Sequence, residues 1–128
     1  MQFDTTFLDS LLDKAQANER LRQNFDLRTT PNDTSQRMLN ALMPGTLVPI
    51  HQHADTTETV VCLRGRLDEI IYEANTHNGQ TTYTETQRIS LCPAQGLYGC
   101  QIPQGAWHTV EVIEPSSIFE AKDGAYKG

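Results

Sequence analysis

Three of the four histidines in this chain stand where extended backbone could bring them to one point. In a strand, residues two apart point to the same face, so His51 and His53 present two imidazoles side by side. Ala54-Asp55-Thr56-Thr57 then makes a turn, and Glu58 opens the next strand close enough to add a carboxylate oxygen. Further on, Pro103-Gln104-Gly105 supplies Pro at the second and Gly at the fourth position of a type I turn. His108 follows at a strand start, a fourth ligand from across a barrel. The expected metal ligands are therefore His51, His53, Glu58 and His108. Imidazole with one carboxylate suits one divalent transition metal ion, whether Zn, Fe, Mn, Ni or Cu, and leaves one or two coordination positions open.

Polar residues inside strands need a reason to be there. Arg37, Tyr98, Glu120 and Lys122 are the candidates for orienting a ligand and moving a proton beside the metal. Glu120 and Lys122 share a face, and if an N-terminal helix covers Phe119 that face is the cavity, where each charge would offset the other's desolvation. Cys62 shares parity with Glu58 and is expected in the core, Trp107 outside it, and His77 in an exposed turn.

The elements that must position these groups follow from the apolar pattern. Phe7, Leu8, Leu11, Leu12 and Ala15 have the one-face spacing of an amphipathic helix over about residues 5 to 17, capped by Thr5 or Thr6. A second short helical turn is expected around Glu19 to Asn24, ended by Thr29-Thr30-Pro31-Asn32-Asp33. Beyond Ser35, segments rich in Val, Ile, Leu and Thr alternate with Gly, Pro and Asn signals, the pattern of a sandwich or barrel. Strands are expected at Gln36 to Leu42, Thr46 to His51, Glu58 to Leu63, Leu67 to Glu73, Thr81 to Leu91, Tyr98 to Ile102, Trp107 to Ile113 and Ser117 to Lys122. Asn78-Gly79 is the strongest hairpin signal. One domain results, with a helical segment over 1–34 packed on a β-barrel over 35–128.

The bulk properties narrow the partners. A chain of 128 residues supports one core, and a net charge of -6 disfavours nucleic acid and anionic membrane. The N-terminus lacks a basic patch followed by an apolar run, and three cysteines without close pairing suggest neither a disulfide framework nor a zinc ribbon. Cys92 and Cys100 are expected as free thiols in a reduced, cytoplasmic protein. A homodimer would close its free sheet edges.

Gly45, His51, His53, Glu58 and Gly65 match the first cupin motif at every fixed position and gap. Pro103, Gly105 and His108 fit the second, whose leading glycine, Gly96, stands one residue too far from the proline and whose closing asparagine is Val112 here. The flanks narrow the likeness: the stretches from Arg37 to Thr46, Leu63 to Leu67 and Phe119 to Tyr126 resemble the WbuC family of cupin-fold metalloproteins, with Ala125 where a proline is usual. The resemblance implies a mainly β cupin fold, a double-stranded β-helix or jelly-roll barrel, with a short N-terminal helical segment and a His/His/Glu/His metal site. It also implies an association with bacterial surface polysaccharide and a sugar or nucleotide-sugar derivative as the small-molecule ligand. Two classes of function are carried forward. One is a metal-dependent isomerase, epimerase or oxygenase-type enzyme, and the other a non-catalytic binding module acting as sensor or carrier.

Overall fold

A computed structural model describes residues 1–126. Its elements, in chain order, are helix α1 (Thr5–Ala17) and strands β1 (Arg22–Asp26), β2 (Ser35–Leu42), β3 (Glu58–His77), β4 (Gln80–Leu91), β5 (Gly99–Ile102) and β6 (Trp107–Asp123), with a 3-10 turn at Pro93–Gln95. Asp4, not Thr5 or Thr6, caps α1: its carboxylate accepts the Phe7 amide proton at 2.9 Å. The expected second helical turn is instead β1, antiparallel to β2 from Arg22↔Leu42 to Asp26↔Met38. Leu21 takes a left-handed φ of 57° just before it, which breaks the helical path and sends residues of the N-terminal segment into the sheet.

The strands lie in the order β1-β2-β6-β3-β4, with β5 on β3. β3 and β6 are long because each absorbs two expected strands. Their lower halves pair with β2 and β5, whereas the upper half of β3 pairs with both β4 and β6. The crossover falls at Gly65, where the β3/β6 register shifts three times between Cys62 and Leu67. Gly65 has φ of 95°, and a Cβ there would lie 2.3 Å from the Pro115 carbonyl oxygen, so only glycine lets the strands pass. Asn78 and Gly79 both take positive φ, the turn that joins β3 to β4. The stretch from Thr46 to His51 is not a strand. Pro49 lacks the amide proton a ladder needs, and only His51 pairs, in an isolated bridge with His108.

Alternation along β2 sorts side chains between two layers. Leu39 and Ala41 face Leu11 and Ala15 of α1, with Phe119 of β6 packed against them, while Leu42 faces the space between the sheet halves. That inner space is apolar around Val60, Cys62, Leu67, Leu91, Val112 and Ile118. One step along each strand, the same inward face becomes polar: Glu58, Glu69 and His108 are all under 5% exposed.

Candidate metal centre

His51 and His108 come from opposite sides of the opening, and their backbones exchange two hydrogen bonds, at 3.0 and 2.8 Å. His53 completes the group: one ring nitrogen from each of the three lies within 4.8 Å of the others. Glu58 Oε2 stands 3.3 Å from His53 Nε2 and 3.2 Å from His108 Nε2. The four residues singled out by spacing are thus neighbours around one point.

The remaining ring nitrogens show why these imidazoles suit a cation. His51 Nδ1 lies 2.8 Å from the Pro49 carbonyl oxygen, and His108 Nδ1 lies 3.0 Å from that of Ala106. A carbonyl can only accept, so Nδ1 carries a proton in each ring and Nε2, turned toward the centre, is the nitrogen that would face a metal. Burial lowers the His51 pKa, with the neighbouring His108 and His53 adding to the effect, which favours the neutral, ligating form. At Glu58 burial pulls the other way, but hydrogen bonds with Glu120, His108 and His53 outweigh it and hold the carboxyl well below its usual range. Three imidazole nitrogens and one carboxylate form a donor set for a divalent transition metal.

The four polar candidates separate into two that reach this centre and two that do not. Glu120 hydrogen-bonds Glu58 and accepts from Asn40 Nδ2 at 2.9 Å; burial first, then the bond with Glu58, raises its pKa. Two carboxyl groups in hydrogen-bond contact must share a proton, so Glu120 is the protonated partner. Lys122 Nζ lies 3.4 Å from His53 Nε2. No ion pair joins Glu120 to Lys122 among the described residues, because they face different compartments. Lys122 lines an outer pocket of about 620 Å³ with His51, His53 and Asp55. Glu120 lines an inner cavity of about 190 Å³ with Asn40, Glu58 and Glu69. His51 borders both spaces.

Tyr98 and Arg37 stand elsewhere. Tyr98 is 63% exposed, because the left-handed Gly96 turns the chain onto the flank of β3, where the Tyr98 carbonyl pairs with the Cys62 amide while its ring faces water. Arg37 falls between Gln36, which borders the outer pocket, and Met38, so its side chain leaves by the opposite face. There it holds the loop before β2 through Asp33 at 3.1 Å and the Leu27 carbonyl at 3.2 Å. All three cysteines are free, Cys62 buried in the core, and His77 is exposed.

Glu69 is the residue the sequence reading missed. It is 2% exposed, and burial, reinforced by the charge of Glu58, raises its pKa to about 8. Counted by twos from Glu58 it falls on the outer face. The bulge at Gly65 resets the alternation, so Leu67 and Glu69 turn inward with Val60 and Cys62. The glycine, flanked by two arginines, was the available signal.

A family model described as a domain of unknown function (DUF6016) matches residues 3–84, a span that includes His51, His53, Glu58 and Glu69. No curated protein matches the chain. Among solved structures, the chain is similar to an oxalate oxidase in complex with the substrate analogue glycolate, with a TM-score of 0.61 and 13% identity over 88% of this chain and 56% of that one. KdgF from Halomonas sp. gives a TM-score of 0.56 and 16% identity over 82% of each chain. The cupin domain of Schizosaccharomyces pombe Cnp3 gives 0.55 and 10%, over 83% of this chain and 66% of that one. The chain spans little more than half of the oxalate oxidase. Identities this low speak for the fold alone, and the fold is that of a cupin.

Proposed function

The chain belongs to the family described as a domain of unknown function, DUF6016, and from that premise we propose a metal-dependent cupin enzyme acting on a sugar or nucleotide-sugar derivative. The observation that carries the reading is the position of Lys122, whose ammonium stands 3.4 Å from a ring nitrogen of the histidine cluster at the edge of the larger pocket. An ammonium there pairs with an anionic or oxygen-rich group presented to the same point. His51, His53, His108 and Glu58 would hold one divalent ion, which when bound polarises a ligand oxygen as a Lewis acid.

This chain's own groups supply the rest. Lys122 orients the ligand from the outer pocket, and Glu120, carrying the proton it shares with Glu58, is positioned to donate it from the inner side. A proton-transfer reaction of the isomerase or epimerase kind uses both sides of the centre. An oxygenase-type reaction would use only the metal's open positions. The likeness of the flanking segments to WbuC proteins supports surface-polysaccharide metabolism as the setting, and the unpaired cysteines suit a reducing, cytoplasmic compartment. No helix of the described residues is long and apolar enough to cross a membrane. β4 lies at one end of the strand order, an edge through which a homodimer would form.

The test is incubation of metal-loaded protein with a panel of activated sugars, followed by NMR for new anomeric or ring-proton signals. Turnover that requires metal supports the enzyme. Saturable binding with no product on any substrate favours the sensor or carrier.

A further inference from the structure

The inner cavity contains a polar group that the metal centre does not use. Glu69 is 2% exposed and lines this space of about 190 Å³, yet its carboxyl has no hydrogen-bond partner among the described residues. Buried carboxyl groups are almost always hydrogen-bonded, and one left bare inside a fold marks a place where something else belongs. The ring nitrogens that converge within 4.8 Å are those of His51, His53 and His108, and Glu69 is outside that group. Its carboxyl faces open space of a size for several waters or a small organic molecule.

We propose that this cavity is a binding subsite for an uncharged, hydroxyl-bearing part of a small molecule, with Glu69 as the residue that recognises it. The inference rests on the sugar-derivative reading above for the kind of ligand, and goes beyond it by naming the subsite and its recognition group. A hydroxyl can both give and accept a hydrogen bond, so it satisfies a carboxyl group in either protonation state. Asn40 and Glu120 lie along the same wall and supply further partners, while Leu42, Val110 and Ile118 give the apolar surface against which a carbon skeleton packs. The Glu58 carboxylate disfavours an anionic group, and Arg22, which also borders the space, has its guanidinium held by the Leu47 carbonyl oxygen at 2.9 Å. An ammonium is disfavoured by those apolar walls and by a divalent ion on the adjacent histidines. The division of labour follows: the outer pocket with Lys122 takes the charged end, and the inner cavity takes the hydroxylated end.

Isothermal titration of the purified full chain with D-glucose, and separately with D-glucosamine at neutral pH, tests this. The expected result is saturable D-glucose binding, weakened at least tenfold by Glu69→Leu and no more than about threefold by Glu69→Gln, which still donates and accepts. Should Glu69→Leu fail to fold, Asn40→Leu replaces it, with a loss expected there too. No D-glucose binding by the unaltered chain, equal binding by the leucine variant, or tighter binding of D-glucosamine would each overturn the proposal. Metal content measured on the same samples keeps the two readings apart: protein that binds sugar through Glu69 but holds no metal fails the metal reading and leaves the subsite standing.

Discussion

His51 and His108, 57 positions apart in sequence, are bound to each other twice: their backbones exchange a pair of hydrogen bonds, and their rings lie 4.2 Å apart. That bridge, with the Thr109 hydroxyl donating to the Val48 carbonyl, ties a loop outside the strands to the start of β6. The ring positions are therefore set by main-chain bonds and do not depend on side-chain packing alone. A site organised in this way is preformed for a cation.

Lys122→Met should leave metal content and melting temperature close to those of the parent, since Lys122 contributes no ligand atom and borders an open pocket. Binding of an anionic ligand should fall by an order of magnitude or more, corresponding to loss of a charged hydrogen bond worth about 1.5–3 kcal/mol. Titration with sugar phosphates before and after substitution measures it. Unchanged affinity would remove Lys122 from the site.

Stability should depend on pH through Glu69. Its folded pKa, about 8, is raised above the ordinary 4.5. Below 4.5 the group is protonated in both states and costs nothing extra. As pH rises the unfolded chain releases the proton first, so stability is lost progressively toward pH 8. Glu69→Gln, neutral throughout, should gain roughly 3 kcal/mol relative to the parent between pH 4.5 and pH 7. Urea unfolding of metal-free protein at the two pH values checks this, and a constant difference would contradict it.

The crossover between sheet halves predicts a severe effect from a small change. Gly65→Ala combines a left-handed backbone with a Cβ placed 2.3 Å from the Pro115 oxygen and 2.5 Å from Ser116 Oγ. Backbone strain alone is worth about 1–3 kcal/mol, and the clash adds to it. Gly79→Ala, with similar φ but nothing within 4 Å, is the control and should cost less. Thermal melts of the two variants should differ clearly in midpoint.

Helix α1 is bound through Leu11, 3% exposed and packed with Ala15, Leu39 and Ala41. Leu11→Ala should cost about 2–5 kcal/mol, the range for a leucine removed from a packed core. Leu47→Ala, at 86% exposure, should cost almost nothing. Chemical denaturation of both gives the comparison.

Much of this arrangement is legible in local pattern. The helix follows from apolar spacing, the hairpin from Asn78-Gly79, and the inward parity of Glu120 from Phe119, which packs against α1, whereas the expected pairing of Glu120 with Lys122 fails because Lys122 lines the outer pocket. What local pattern does not reveal is where a strand bends or stops. The expectation of separate strands on either side of Gly65 and Pro115 reads as breaks what are bends in continuous strands, because a bulge keeps the ladder going while resetting which face each residue occupies. Glu69 was missed for that reason. Tyr98 stands in sequence where a strand start is expected, whereas tertiary pairing places its carbonyl, not its ring, against β3.

Metal affinity should weaken as pH falls below about 6, since ligating imidazoles must be neutral. The most direct measurement, however, is elemental analysis of the protein purified at pH 7.5 without added metal, beside His51→Ala and His108→Ala prepared identically. Close to one transition-metal ion per chain is expected in the parent and a small fraction of that in either variant, with secondary structure retained by circular dichroism. A parent that holds no metal even after exposure to zinc, manganese, iron, nickel and copper in turn, or histidine variants that hold as much as the parent, would contradict it.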